Sequence, residues 1–114
     1  YELEAAMILY GLKTCDTCRK ALKSLPNATF VDVRAEGVPE AVLKSAHARF
    51  GAALLNTRST TWRGLSDRVK KDVDEDKALK LMNKHRALIK RPVIEWGQEV
   101  FVGWKKDVQE VLLA

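Results

Sequence analysis

The sequence predicts a single α/β domain in which helices cover a small mixed sheet. Three features lead to this class. The first part of the chain has a short apolar run, an amphipathic stretch and a second apolar run. The middle of the chain has helical periodicity. The last part has two apolar runs on either side of a glycine turn, followed by another amphipathic stretch. The predicted order is therefore β-α-β, a helical segment, then β-β-α. With 114 residues, 46% of them hydrophobic, the chain can form one core.

The first three elements form a predicted βαβ unit. Residues 7–10 are apolar and end at Gly11, which is typical of a buried strand. Helical periodicity begins at Asp16 and ends at Pro26, and residues 30–33 read as a second strand. The apolar side chains of one helix face are Cys18, Ala21, Leu22 and Leu25. Because a helix connects them, the two strands should be parallel neighbours.

The middle of the chain is predicted to be mainly helical. A helix should begin at Pro39 and end before Gly51, with an apolar face facing the core. Residues 56–65 are rich in Thr, Ser and Asn, which indicates a loop. Residues 66–84 favour two helices, broken near residues 72–74.

The last part of the chain is predicted to be a hairpin followed by a helix. Residues 93–96 and 100–102 flank Gly97-Gln98, which suits a two-residue turn with glycine in its first position. Val108, Val111 and Leu112 then recur on one helical face.

Composition restricts the function classes. Residues 1–6 fit no pattern, so we expect a cloning remnant there and a single domain over residues 7–114. No apolar run approaches the ~20 residues of a membrane helix, and no secretory signal is visible, which together with the cysteine usage predicts a cytoplasmic protein. The net charge of +5 is interleaved with fifteen acidic residues, so nucleic-acid binding is not predicted.

The two cysteines, Cys15 and Cys18, form a CxxC motif at the predicted helix start. Free N–H groups and the helix dipole at that end favour a thiolate at Cys15, and Lys13 and Arg19 add positive charge. Cys18 should lie deeper and stay protonated. One attacking thiolate and one resolving thiol are what thiol-disulfide exchange requires. Thr14 is a candidate to cap the helix or to hydrogen-bond the thiolate, and capping is the favoured role.

Two other interpretations of the CxxC motif are open. A structural zinc site needs four ligands, and beyond the two cysteines the chain offers only His47 and His85, neither at a finger spacing. We therefore predict no metal site. Both cysteines could instead be inert, which suits a buried Cys18 but not Cys15, because Cys15 lies between polar residues at a loop-to-helix junction.

Three segments together resemble the arsenate reductase ArsC family, which includes the regulator Spx and the YffB-type reductase-like proteins. They are "YGLKTCDTCRKA", "LLNTRSTTWRGL" and "LIKRPVIEWGQEVFVGW", and the likeness extends from Met7 to the C-terminus. The YffB-type branch is the most similar. The resemblance implies a thioredoxin-like fold with a mixed four-stranded sheet and an inserted helical segment.

The resemblance also implies roles for individual residues. Cys15 would be the nucleophile, and Pro92, after Arg91, would be a cis proline opposite it. The family's arsenate reductases surround the cysteine with three arginines. Arg91 matches one, and Arg58 is offered as a second although it lies about two positions beyond Asn56, which aligns with the family's arginine. Gly103 replaces the third, so arsenate is not the expected substrate.

The function implied is a thiol-dependent oxidoreductase with no tightly bound cofactor. Glutathione is the expected co-substrate, and glutaredoxin or thioredoxin are candidate electron donors. Arg91 and Arg58 would hold an anionic group of the thiol or oxyanion substrate. The alternative is a redox-switched binding protein of the Spx kind, in which a Cys15–Cys18 disulfide alters affinity for a transcription partner, RNA polymerase.

Overall fold

A computed structural model describes residues 6–113 and contains one four-stranded sheet, ordered β2-β1-β3-β4. The strands are β1 (Met7–Gly11), β2 (Thr29–Asp32), β3 (Val93–Trp96) and β4 (Glu99–Val102). β1 pairs in parallel with β2 and antiparallel with β3, which pairs antiparallel with β4. This is the mixed sheet of the thioredoxin-like fold, so the predicted fold class is confirmed.

Seven α-helices accompany the sheet in the described part of the chain. They are α1 (Asp16–Ser24), α2 (Val33–Glu36), α3 (Glu40–Phe50), α4 (Thr60–Arg63), α5 (Asp67–Lys70), α6 (Glu75–Lys84) and α7 (Lys106–Leu112). Single 3-10 turns lie at Gly51–Leu54 and Arg86–Leu88. Elements α2 to α6 form the inserted helical segment between β2 and β3.

Alternating strand residues divide the core into two layers, because successive side chains of a strand point to opposite faces of the sheet. Tyr10, Val93 and Val102 belong to a first cluster, which the sheet forms with α3 and α6. Leu9, Ile94 and Phe101 belong to a second cluster, formed with α1 and α7. The helix that begins beside Cys15 therefore rests on the second cluster.

The pairing directions place several loops at one edge of the sheet. β1 and β2 end at this edge, β3 begins there, and β4 ends there. The CxxC motif follows β1, α2 follows β2, the Arg91-Pro92 pair precedes β3, and Gly103 follows β4. Residues from four distant parts of the sequence thus lie at the same end of the sheet.

Most element boundaries agree with the sequence, and three details differ. β2 lies one residue earlier than predicted, because Val33 starts the short helix α2, which was not predicted. The predicted loop over residues 56–65 contains α4. The first of the two helices expected over residues 66–84 has only four residues. These three helices are too short to show a repeat of apolar residues. Their N-cap residues are of types that are equally common in turns: Asp32, Ser59 and Ser66.

Ala6 is the first residue that the structure describes. Residues 1–5, where most of the expected cloning remnant falls, lie outside the described residues, whereas the carbonyl of Ala6 accepts a hydrogen bond from the Gly97 N–H. Between residues 6 and 113, no helix has the length and hydropathy needed to cross a membrane.

Candidate active site around Cys15

Cys15 is the N-cap residue of α1 and sits at the end of a tight loop after β1. Its N–H donates to the carbonyl of Leu12 at 3.1 Å, and its own carbonyl accepts from the N–H of Arg19 at 3.0 Å. The prediction that Thr14 caps the helix is wrong, because the chain is still extended at Cys15 and Thr14 lies one residue outside the cap position. The Thr14 side chain is exposed.

The surroundings of Cys15 favour its thiolate. Burial by itself raises the pKa of the Cys15 thiol, but several opposing contacts outweigh it and bring the pKa below its ordinary value. These contacts are hydrogen bonds from the Cys18 N–H and thiol and from the Thr17 N–H, together with the positive charge of Arg91. The thiol is half-buried, so a substrate sulfur can still reach it.

Cys18 has the opposite character. Its side chain is completely buried, at 0% exposure, and burial together with the neighbouring Cys15 raises its pKa to about 11. A Cβ atom at Gly11 would lie 2.6 Å from the Cys18 Sγ, so only glycine leaves room for this thiol at its present position. Cys18 is thus a protonated donor behind Cys15.

The Arg91–Pro92 peptide bond is cis, as the family resemblance implied. Because Tyr10 faces Val93 in the sheet, Pro92 lies beside Gly11, and its carbonyl accepts from the Gly103 N–H at 2.8 Å. The positive charge of Arg91 favours both thiolates: it contributes to the lowered pKa of Cys15 and offsets part of the rise in the pKa of Cys18. The Nε atom of Arg91 is buried and, among the described residues, has no hydrogen-bond partner.

Arg58 lies in a different part of the site. It lines an open depression together with Asn56, Thr57, Leu55, Lys90 and Lys105. Its backbone N–H donates to the Asn56 Oδ1 at 3.3 Å. Arg91, not Arg58, is the arginine whose charge acts on the two thiols.

Gly103 opens a second depression beside the first. The two share Lys90 and Lys105, and a Cβ built on Gly103 would meet no atom within 4 Å. The backbone there has a φ of +83°, which favours glycine. Sequence reasoning did not single out the two lysines, since they lie on separate loops and no motif links them.

The described residues contain no group of three or more His, Cys, Asp or Glu side chains arranged to hold a metal ion. His47 lies 3.9 Å from Glu75 instead, and His85 is the C-cap of α6. Trp96 and Trp104 are half-buried against the second core cluster.

The contact between the two thiols gives a testable prediction. Cys18→Ala removes a donor to the Cys15 sulfur, so we expect the pKa of Cys15 to rise and its thiolate absorbance near neutral pH to fall. Cys18→Ser retains a donor and should keep the pKa closer to that of the native protein. Ultraviolet titration of the thiolate measures both. Equal pKa values in the two variants would show that the Cys18 thiol does not stabilise the thiolate.

Comparison with known proteins supports the assignment made from the motifs. A family model described as ArsC matches residues 10–111. An uncharacterized protein of Haemophilus influenzae is 36% identical over 111 residues, which cover 93% of this chain and 97% of that protein. The solved structure of the YffB protein is 38% identical with a TM-score of 0.84, covering 96% of this chain and all (100%) of that one.

A third relative has a solution structure described as an arsenate reductase (ArsC) related protein from Brucella melitensis. It is 32% identical with a TM-score of 0.69, and the match covers 96% of each chain. The family model and both relatives with solved structures span nearly the whole described domain, including the Cys15 loop and the Arg91–Pro92 corner. The chain therefore belongs to the ArsC family and is of the YffB type.

Proposed function

We propose that this protein is a thiol-disulfide oxidoreductase whose nucleophile is Cys15. The observation that carries the proposal is the position of Cys15. It is a half-buried thiol at the N-cap of the nine-residue helix α1, with hydrogen bonds and the Arg91 charge bringing its pKa below the ordinary value. Membership of the ArsC family supports an oxidoreductase-like role.

The first chemical step is attack of the Cys15 thiolate on one sulfur of a substrate disulfide. A new bond forms between the Cys15 Sγ and that sulfur, the substrate S–S bond breaks, and the second substrate sulfur leaves as a thiolate that takes a proton from water. The Thr17 and Cys18 N–H groups hold the attacking sulfur at the helix start.

The second step releases the covalent intermediate. The thiolate of an external thiol such as glutathione can attack the substrate sulfur of the mixed disulfide. A disulfide forms between glutathione and the substrate half, the bond to the Cys15 Sγ breaks, and Cys15 leaves as a thiolate. Cys18 could attack instead, but its pKa of about 11 leaves it almost entirely protonated near neutral pH. We therefore propose glutathione as the co-substrate, with glutaredoxin or thioredoxin as alternative donors, and assign Cys18 chiefly to stabilising the Cys15 thiolate.

Arsenate reduction is less well supported by the same geometry. The resemblance implies that the family's arsenate reductases hold the tetrahedral arsenate with three arginines at particular positions around the cysteine. In this site Arg91 acts on the thiols, Asn56 and Gly103 occupy two of the family's arginine positions, and Arg58 lines a separate depression. We propose a sulfur-containing substrate rather than arsenate.

The contribution of Arg91 can be measured directly. Arg91→Gln removes the charge that favours the Cys15 thiolate, so we expect the pKa of Cys15 to rise and the alkylation rate at pH 7 to fall by about threefold to tenfold. Arg68→Gln, an exposed arginine on α5, is the control with the same change of net charge. If the two variants lose rate equally, the effect is one of overall charge and Arg91 has no special part.

A coupled assay tests the proposed reaction. The protein is mixed with hydroxyethyl disulfide and either glutathione plus glutathione reductase or the thioredoxin system, and NADPH consumption is followed. We expect turnover with glutathione that disappears in Cys15→Ala and is retained in large part in Cys18→Ala. If neither donor system supports turnover above the Cys15→Ala background, the oxidoreductase proposal is wrong.

One observation favours a second candidate function. The Cys15 and Cys18 thiols are in hydrogen-bond contact, so an internal disulfide between them is within reach. Such a disulfide would suit a Spx-like switch that controls binding to RNA polymerase. Recovery of RNA polymerase in pull-downs with reduced and with oxidised protein tests it; equal recovery, or none, counts against the switch.

A further inference from the structure

A second basic pocket lies on the other side of the Arg91–Pro92 corner, towards β2. It is a small, open pocket lined by Leu12, Val33, Arg34, Arg86, Ala87 and Arg91. Three of these six lining residues are arginines, and none is acidic. Arg34 follows β2, Arg86 belongs to the 3-10 turn after α6, and Arg91 precedes β3.

The arginines of this pocket have few partners within the protein. The ion pairs among the described residues involve Arg19, His47 and Arg49, none of which lines the pocket. The buried Arg91 Nε has no hydrogen-bond partner among the same residues. Three arginines around one pocket with no acidic residue in its lining give the pocket a positive potential, which favours a bound anion.

The position of the Arg86 guanidinium is fixed by two features of the backbone. Its Nη1 donates to the carbonyl of Arg34 at 2.8 Å, which ties the two arginines to each other. Gly37 makes room for it, because a Cβ there would lie 3.2 Å from the Arg86 Nε, and the φ of +73° at this residue also favours glycine. The remaining N–H donors of Arg86 are thus pre-positioned, which lowers the entropy cost of binding.

The pocket adjoins the nucleophile. Leu12 accepts the hydrogen bond from the Cys15 N–H, and Arg91 is shared between the pocket and the thiol site. We propose that Arg34, Arg86 and Arg91 form an oxyanion-binding subsite that holds one carboxylate, sulfate or phosphate group next to Cys15. Guanidinium groups suit such planar or tetrahedral oxyanions because their paired N–H donors match two oxygens at once.

This subsite goes beyond the proposed oxidoreductase function, because binding there needs no turnover. The first test is titration of the reduced, isotope-labelled protein with sodium sulfate at constant ionic strength, with the amide signals of Leu12, Arg34 and Ala87 followed by NMR. We expect saturable shifts in the native protein. Arg34→Gln/Arg86→Gln should weaken sulfate binding at least about tenfold.

Two further variants keep this test decisive. Lys44→Gln/Lys80→Gln removes two exposed charges on α3 and α6 and should leave the dissociation constant within about twofold. The single variant Arg34→Gln keeps the hydrogen bond from the Arg86 Nη1 to the backbone carbonyl of residue 34. Weaker sulfate binding by this variant would therefore reflect the lost charge of Arg34 and not a displaced Arg86 side chain. Non-saturable shifts in the native protein, or equal weakening in the lysine control, would overturn the proposal.

A second experiment distinguishes an anion carried by the substrate from a free inorganic one. The single-turnover rate of Cys15 is measured with the dicarboxylate dithiobis-nitrobenzoate and with neutral dithiodipyridine. If the substrate carries the anion, Arg34→Gln/Arg86→Gln lowers the ratio of the two rates while the lysine control does not. An unchanged ratio together with lost sulfate binding assigns the subsite to a free inorganic anion. An unchanged ratio with intact sulfate binding overturns the proposal.

Discussion

Replacing Cys15 by serine is expected to lower the rate of reaction with a disulfide by at least about 1000-fold, because a hydroxyl at this position is not ionised near neutral pH. The structure gives no second thiol that could take over. Cys18 is completely buried, and its pKa of about 11 leaves little thiolate. The measurement is the second-order rate constant for reaction with dithiodipyridine at pH 7.

Cys18→Ser is the matched control for this prediction, since it removes the other sulfur of the same motif. Its reaction rate should fall by less than about tenfold, through the weaker support of the Cys15 thiolate. A Cys15→Ser protein that still reacts rapidly, with the label found on Cys18, would show that the inner cysteine is the accessible nucleophile. The assignment of the two roles would then be reversed.

Phe101→Ala is expected to lower the free energy of unfolding by about 3–5 kcal/mol, the usual cost of truncating a large core aromatic residue. Phe101 is 2% exposed and is part of the second core cluster, together with residues of α1 and α7. The Arg49 guanidinium also lies over its ring, 4.7 Å from the centroid. Urea denaturation followed by circular dichroism measures the change.

Leu113→Ala provides the control for this loss of stability. Leu113 is 50% exposed and follows α7, so its truncation should change the free energy of unfolding by no more than about 0.5 kcal/mol. Because α1 rests on the same cluster as Phe101, amide exchange in the folded Phe101→Ala protein should also become faster along α1. Equal effects of the two substitutions would contradict the two-layer description of the core.

Much of the fold could be predicted because its longer elements have clear periodicity. Three of the four strands (β1, β3 and β4) and the helices α1, α3 and α6 each bury residues at the spacing that the sequence shows. The pattern could not reveal α2 or α4, since four residues make barely one turn and contain no repeat. The N-cap of α1 was also predicted at Thr14 and not at Cys15, because threonine is a more usual N-cap residue than cysteine.

The candidate site could be predicted only where its residues are close in sequence. Cys15 and Cys18 form one motif, and their different burial follows from the helix that the pattern predicts. The basic side chains around them come from separate loops. Arg34 and Arg86 share a pocket with Arg91, and Lys105 shares a depression with Lys90, only because the fold brings distant parts of the chain together. Periodicity gives no information about such contacts between distant parts of the chain.

The central claim is that the protein activates Cys15 and keeps Cys18 protonated. The most direct measurement is the pH profile of alkylation by iodoacetamide at each cysteine, with the two sites separated by mass spectrometry. We predict that Cys15 reacts with an apparent pKa below the ~8.5 of an ordinary thiol, whereas Cys18 begins to react only as the pH approaches about 11. Cys15 titrating at or above ~8.5, or Cys18 reacting first, would contradict it.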